Sequence, residues 1–502
     1  MHSTAGAQSR TWWRRPGGGR EVLSVAAPLV VSSLSWTVMT FVDRMLLNHW
    51  SGAAMAAAFA ASTAWFAALC FPLGVCAYAN TFVAQYQGAG RPLRIGPAVW
   101  QSVWIAAAAT PFVLLGVPLA DRLFEWAGHS PEAVALEGRY FAILSIGAPA
   151  MLFSQALSSF YSGRGRTVVV MVVDAAFALL NLLLDWWWIF GLTVAMGGET
   201  FEVFPAAGIA GAGWATVVSL WLKALTYLAL VLRREHRAAF ATGAVGVDRA
   251  LLGRMLWFGG PSGLQMLLDI LGFTVFVLLI ARLGDVANEA SSMTFSIGSL
   301  AFMPVCGIGM AASILVGQHL GENREEAATQ ATWTSLHVSW AYMAGASAVM
   351  VFAPGWLLGG FFSGEAVAGA DPAHRAAVGA LAVVLLRFNA AYNFVDAMLI
   401  VFVSALKGAG DTRFILWASL VMATALAALT WTALEVLDAG VYGCWALVSA
   451  WIFGLAVVFY LRFRAGYWRS MRVIEPEPPT LAPEPVAGEP SDVGGASQAL
   501  AG

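Results

Sequence analysis

The sequence predicts an all-α polytopic membrane protein, its 12 transmembrane helices arranged as two pseudo-symmetric six-helix bundles. Three observations carry this expectation: the composition, the number of long apolar stretches, and an internal duplication. Of 502 residues, 59% are hydrophobic and 11% are charged, and the mean hydropathy is +0.72. A soluble domain carries about 25% charged residues, so this chain has too little polar surface to cover a water-soluble globule. A net charge of -2 and a pI near 6.4 offer no basic excess for a polyanion, which argues against a nucleic-acid partner. Cys70, Cys76, Cys306 and Cys444 fall in apolar stretches without metal-ligand spacing and read as small buried hydrophobes.

A membrane-crossing helix needs about 20 mostly apolar residues. Twelve stretches qualify: 22-47, 55-86, 95-119, 134-160, 168-193, 207-233, 250-281, 287-318, 327-358, 376-406, 412-436 and 440-464. An Arg-rich head (1-21) shows no short apolar core ending in a cleavage site, so no removable signal peptide is expected. The first six spans form an N-terminal lobe (22-233), a linker follows (234-249), and the rest form a C-terminal lobe (250-464). From 465 to 502 the Pro, Glu, Ala and Gly content predicts a disordered tail. With the head placed in the cytoplasm, 20 of the 27 basic residues fall on the cytoplasmic side and five on the other. Both termini are therefore expected inside, since cytoplasmic loops hold the Lys and Arg excess.

The halves repeat at an offset near 233 residues. Pro28 pairs with Pro261, Pro72 with Pro304, Gln85 with Gln318, Gly88 with Gly321 and Trp214 with Trp445. Ser159, Gly163, Gly165 and Thr167 match Ser404, Gly408, Gly410 and Thr412. Six spans per copy start both copies on the same side, which defines a parallel repeat about an axis along the membrane normal. Two such bundles leave a cleft at their interface, where a substrate binds near the midplane, and rocking one against the other gives alternating access. The Pro72-Leu73-Gly74 and Pro304/Gly307 positions recur in spans 2 and 8 and offer places to bend.

Five carboxylates lie within apolar spans: Asp43, Asp174, Asp185, Asp269 and Asp396. An acid at a helix centre costs about 2.5–3.5 kcal/mol on insertion scales, so such residues face a wet cavity or a partner. Only Lys223 and Arg387 lie within the spans to neutralise them, and Lys223 is near enough a helix end to snorkel. Helical periodicity places Asp174, Asn181 and Asp185 on one face, and Asn389, Asn393 and Asp396 on another, flanked by Tyr392. Gln265 and Asp269 share a face, as do Trp36, Thr40 and Asp43. Trp36, Thr40, Gln265, Asn389 and Asn393 are thus candidates to line a substrate cavity. Trp36, Phe66, Tyr392 and Phe394 offer π faces to planar cations. Structural readings stand beside these: Asp43 with Arg44 suits an interfacial pair, and Asp174 suits a helix cap or a loop-arginine partner. Arg387 lies on the opposite side of its helix from Asp396, and Trp186, Trp187 and Trp188 suit an interfacial belt.

Several motifs in order resemble the MATE family of multidrug and toxic compound extrusion transporters, particularly its NorM-type bacterial members. They are FVDRMLL at Phe41, FVAQYQGAGR closing span 2, SGRGRT before span 5, NLLLDWWWIFG at Asn181, GIAGAGWAT opening span 6, GGPSGLQMLLD at Gly259, LVGQHLGENR closing span 8 and YNFVDAMLIVFVSALKGAGDTR at Tyr392. The resemblance runs from about Pro28 to Arg464. It implies a secondary active antiporter of a bacterial inner membrane that exports cationic organic compounds in exchange for Na+ or H+, with no other cofactor, working as a monomer. By the same resemblance, Asp269, Asp396 and Tyr392 form a C-terminal cation site that suits Na+ or a proton. Asp43, Asn181 and Asp185 match the acids and amide of the N-terminal lobe linked to proton or Na+ movement. Asp174 matches no family role.

Two other classes compete. A lipid-linked oligosaccharide flippase of the wider superfamily would line its cleft with Lys or Arg for a pyrophosphate, whereas these spans hold five acids and little base. A membrane enzyme would need a catalytic signature, and the seven histidines are scattered without an HExxH or similar grouping.

Overall fold

The computed structural model describes residues 12–196, 199–362, 371–435 and 440–476. Among them, 12 helices are long and apolar enough to cross a membrane. They are α1 (Gly19–Trp50), α2 (Gly52–Gly88), α3 (Pro92–Trp126), α4 (Pro131–Ser162), α5 (Thr167–Phe190), α6 (Ile209–Val231), α7 (Arg249–Val277), α8 (Asp285–Gly321), α9 (Glu325–Phe352), α10 (Pro372–Ala409), α11 (Thr412–Thr432) and α12 (Val441–Ala465). All twelve expected spans are present. The packing repeats as the sequence does: α1 lies on α5, α2 on α4 and α4 on α6, just as α7 lies on α11, α8 on α10 and α10 on α12. The lobes meet where α1 packs on α8 and α2 packs on α7, two contacts exchanged by the same pseudo-twofold.

Small residues allow that meeting. A Cβ on Gly74 would come 2.7 Å from the Gly263 backbone, and one on Gly307 would come 2.8 Å from the Val30 nitrogen. The glycines beside Pro72 and Pro304 therefore serve close approach of the two lobes.

Three segments depart from expectation. The loop between α5 and α6 contains an antiparallel hairpin, Leu192–Met196 with Glu199–Phe204. The ninth expected span is divided: α9 stops at Phe352, and a separate short helix, Pro354–Phe362, follows. The tail is ordered beyond 465. Trp468 and Val473 are fully buried, and Ile474 nearly so, because these apolar side chains interrupt an otherwise polar run and find the lobes' underside. Residues 1–11 of the head and 477–502 of the tail lie outside the described residues. The linker is tied to α3: the Trp100 and Trp104 indoles donate to the carbonyls of Thr242 and Val245, each at 2.8 Å, and Arg94 pairs with Asp248 at 3.1 Å.

Candidate functional site

On the side of the chain termini the lobes are sealed to one another by symmetry-related bonds. The Gln85 side chain, fully buried, donates to the Gly408 carbonyl at 3.0 Å. Its repeat partner Gln318 donates to the Gly163 carbonyl at 2.8 Å. The Tyr78 hydroxyl adds a bond to the Lys407 carbonyl at 3.0 Å. Glycine is required here, because a side chain on Gly88 would strike the Gln318 carbonyl and one on Gly321 the Gln85 carbonyl. The tail crosses the same seam: Val473 N–H donates to Gln85 Oε1 at 2.8 Å, and Glu475 accepts from Tyr86 at 2.5 Å and Arg94 at 2.9 Å. Residues that follow the last helix of one lobe are thereby fastened to the other.

Behind this seal lies a chamber of about 480 Å3 walled by both lobes. Its wall is mostly apolar, with hydroxyls from serines of five helices and thioethers from Met151, Met266, Met303 and Met310. Thioethers are polarizable and unbranched, so such a wall adapts to ligands of differing shape. Its fixed charges are Asp174, Lys223 and Lys407. Asp174 neither caps a helix nor meets a loop arginine: it pairs with Lys223 at 2.8 Å and accepts from Tyr227 at 2.9 Å and from Ser32. Lys223 turns inward for this pairing, where periodicity alone suggests snorkelling. Lys407, counted by sequence with the cytoplasmic loops, occupies the last turn of α10 and is the charged neighbour of Asp269. Each lysine at the chamber is thus matched by a carboxylate.

Two acids of the N-terminal lobe, Asp43 and Asp185, which the resemblance groups with Asn181, lie together. Asp43 and Asp185 are buried and their carboxyl groups are hydrogen-bond neighbours. Asn181, with its NH2 turned toward them, reaches Asp43 Oδ1 and Asp185 Oδ2 at 3.2 Å each, while its oxygen faces the Thr216 N–H at 3.3 Å. Buried Tyr140 is the electrostatic neighbour of both acids. No ordering of residues in α4 signals that role. Arg44 forms no ion pair within 4 Å among the described residues; its guanidinium lies 4.7 Å over the Phe59 ring. The stripe on α5 is shared between two places, with Asn181 and Asp185 joining Asp43 while Asp174 faces the chamber. Trp36 lines the chamber, but the Thr40 hydroxyl bonds its own helix at the carbonyls of Trp36 and Thr37.

In the C-terminal lobe the candidates lie on two helices, α7 and α10. Asp269 is solvent-accessible and accepts from Gln265, which is buried. It follows Ser262 and Met266 of the chamber wall at helical spacing. Asp396 is half-buried beside Tyr392, with no ion pair among the described residues. Asn389 and Asn393 are buried, and Asn393 donates to Ser347 at 3.1 Å. No hydrogen bond among the described residues joins Asp269 to Asp396 or Tyr392. These three sit on α7 and α10, of which α7 packs mainly on α2 and α11, and α10 mainly on α8, α9 and α12. Phe66 lines the chamber, Phe394 is exposed with its carbonyl held by Trp340, and Arg387 is exposed.

Known proteins share this sequence pattern and fold. The chain is 27% identical over 404 residues to multidrug resistance protein PmpM of Pseudomonas aeruginosa, covering 78% of this chain and 79% of the relative. It is 26% identical over 404 residues to a probable multidrug resistance protein, NorM, of Xanthomonas axonopodis pv. citri, covering 79% and 84%. A MOP superfamily transporter from Pyrococcus furiosus superposes with a TM-score of 0.79 at 17% identity, over 93% of this chain and 100% of that one. An outward-facing multidrug resistance MATE family transporter gives 0.77 at 18% identity, over 92% and 98%. The MatE family model matches residues 28–187 and 261–432, one stretch in each lobe, and the chain belongs to that family.

Proposed function

We propose that this chain is a secondary active antiporter that expels organic cations from a bacterial cell in exchange for inward-moving H+ or Na+. It works as a monomer in the inner membrane, with both termini in the cytoplasm. The names of its relatives, the two-lobed chamber and the positive-inside charge distribution support this reading. In that orientation the seal at Gln85 and Gln318 closes the cytoplasmic side, and a rocking of the lobes breaks it to admit substrate from the cytoplasm.

The observation that carries the reading is the Asp43–Asn181–Asp185 cluster. Two carboxyl groups at hydrogen-bond distance in a buried site hold a proton between them, since two bare charges so close repel strongly. The amide donors of Asn181 meet the residual negative charge. A proton needs only the two carboxyl groups and no further shell of oxygen ligands, so H+ is the coupling ion this cluster suits best. Losing that proton to one side of the membrane and regaining it from the other alternates the charge of the lobe, and the lobe's preferred packing changes with it. Each net charge entering across 100 mV supplies about 2.3 kcal/mol, a factor of roughly fifty in the substrate gradient, whereas one-for-one exchange with a monovalent cation draws on the ion's concentration gradient alone.

In proteoliposomes loaded with a fluorescent cationic dye, a pH gradient and a Na+ gradient are imposed separately on wild type, Asp185→Asn, Asp43→Asn and Asp396→Asn. Dye efflux driven by the pH gradient and lost in Asp185→Asn is the expected result. Efflux unchanged in both N-terminal variants, or absent under both gradients in wild type, overturns the proposal.

A further inference from the structure

On the side of the termini, away from the chamber, a groove of about 570 Å3 runs between the start of α5, the end of α6 and the short helix Arg234–Phe240. Arg164, Arg166, Arg233 and His236 line it at one end, and Val168 and Val172 line it further along α5. Those valines are 54% and 56% exposed on a helix that spans the membrane, so the groove opens onto the acyl-chain region. The polar end is built rather than loose. The Arg164 guanidinium lies 3.8 Å over the Phe240 ring and 4.5 Å over the Phe160 ring. Its Nη1 is buried without a hydrogen-bond partner. His236 is fixed by donating from Nδ1 to the Leu230 carbonyl at 2.8 Å.

What is missing is a counter-charge. Arg164 and Arg166 act on one another electrostatically, and neither they nor Arg233 forms an ion pair among the described residues. Glu235, the acid nearest in the chain, is exposed and makes none. Three guanidinium groups around one groove, one with an orphaned donor, match the oxygens of a phosphate, for which arginine's fixed fork is well suited. The adjoining valines match an acyl chain.

We propose that this groove binds an anionic phospholipid, its headgroup phosphate held by Arg164, Arg166 and Arg233 and one acyl chain lying along Val168 and Val172. The continuous apolar wall distinguishes a lipid from a soluble phosphate, which would have no use for it. Because the groove is separate from the chamber, the inference does not depend on which compound or ion is transported.

The test is a lipid titration of the full-length protein in mild detergent, read by native mass spectrometry, with phosphatidylglycerol and phosphatidylcholine in separate arms. Wild type is compared with Arg166→Gln/Arg233→Gln, which leaves the Arg164 ring stacking in place, and with Arg122→Gln/Arg139→Gln, which removes two charges elsewhere. Wild type is expected to retain phosphatidylglycerol over phosphatidylcholine. With on the order of 1 kcal/mol per arginine near a membrane surface, the groove variant should bind phosphatidylglycerol about thirtyfold more weakly, and the control variant as wild type. Equal retention by the groove variant, or an equal loss in the control, overturns the assignment. Complete displacement of phosphatidylglycerol by millimolar inorganic phosphate assigns the groove to a soluble anion and overturns it too. Unchanged melting temperature establishes that both variants are folded.

Discussion

Replacing Gln85 by alanine strips the seam between the lobes of its central side chain. Gln85 is fully buried and serves both partners: its Nε2 donates to the Gly408 carbonyl at 3.0 Å, and its Oε1 accepts from the Val473 N–H at 2.8 Å. Alanine leaves a buried carbonyl and a buried N–H without partners, each costing about 1–3 kcal/mol. Both penalties fall on the state in which the lobes touch here, because separation lets water satisfy the same groups. The closed state therefore loses about 2–6 kcal/mol relative to the open one, a shift of roughly 30- to 20,000-fold in their ratio. Gln318 makes a single bond of this kind, to Gly163 at 2.8 Å, so Gln318→Ala should shift the ratio less, by about 1–3 kcal/mol. Spin labels at exposed Gln87 and Glu326, on opposite sides of the seam, read the equilibrium as a distance distribution. Wild type should give one short distance, with a longer population growing in Gln318→Ala and dominating in Gln85→Ala. Identical distributions in all three proteins, with the variants folded, would refute the claim that these amides hold the lobes together.

Asp174→Asn should lower stability by about 1–3 kcal/mol, less than a fully buried pair would lose, because both side chains retain some exposure and Lys223 is left with uncompensated charge. Asp174→Asn/Lys223→Met should recover part of that loss, measured as melting temperature in detergent. Gly88→Ala should favour lobe separation in the same spin-label experiment, since the added methyl meets the backbone carbonyl of Gln318, which cannot turn aside. Burial favours the neutral form of Glu475, but hydrogen bonds from Tyr86 and the charge of Arg94 outweigh it and hold the carboxyl below its usual value of 4.5. A depressed folded-state value means the tail's contribution is complete above pH 4.5 and fades as pH falls through the lower, docked value. Protection of the amides of residues 471–475, taken relative to their intrinsic exchange rates, should accordingly be high at neutral pH and fall only in acid, whereas Glu475→Gln should be poorly protected throughout.

The helices were legible because bilayer thickness imposes a length and composition that no soluble element shares. The lobes were legible because duplication leaves matched prolines, glycines and glutamines at a constant offset. What the pattern could not show is that Gln85 bonds the glycine of the opposite copy, Gly408, instead of Gly163 in its own, because a repeat specifies equivalence and not contact. The convergence of Asp43, Asn181 and Asp185 follows from stripes on α1 and α5 once those helices pack. The fate of Asp174 was hidden, since Lys223 is 49 residues away and its inward turn depends on a neighbouring helix. Lys407 was misplaced for a related reason: the last turn of α10 is near enough the helix end to be counted with a loop, yet its side chain looks back into the chamber. Periodicity says which residues of one helix share a direction, and only packing says what lies in that direction.

The paired glutamine-to-glycine bonds also bear on how such a molecule could arise. Two copies of a half-length ancestor, meeting about a twofold axis, present every contact twice. One glutamine facing one exposed carbonyl would have closed both sides of the ring at a stroke, before any gene fusion. Once fused, the copies were free to diverge, and the tail could then favour Gln85 alone, turning an evenly hinged pair into a molecule with one reinforced edge.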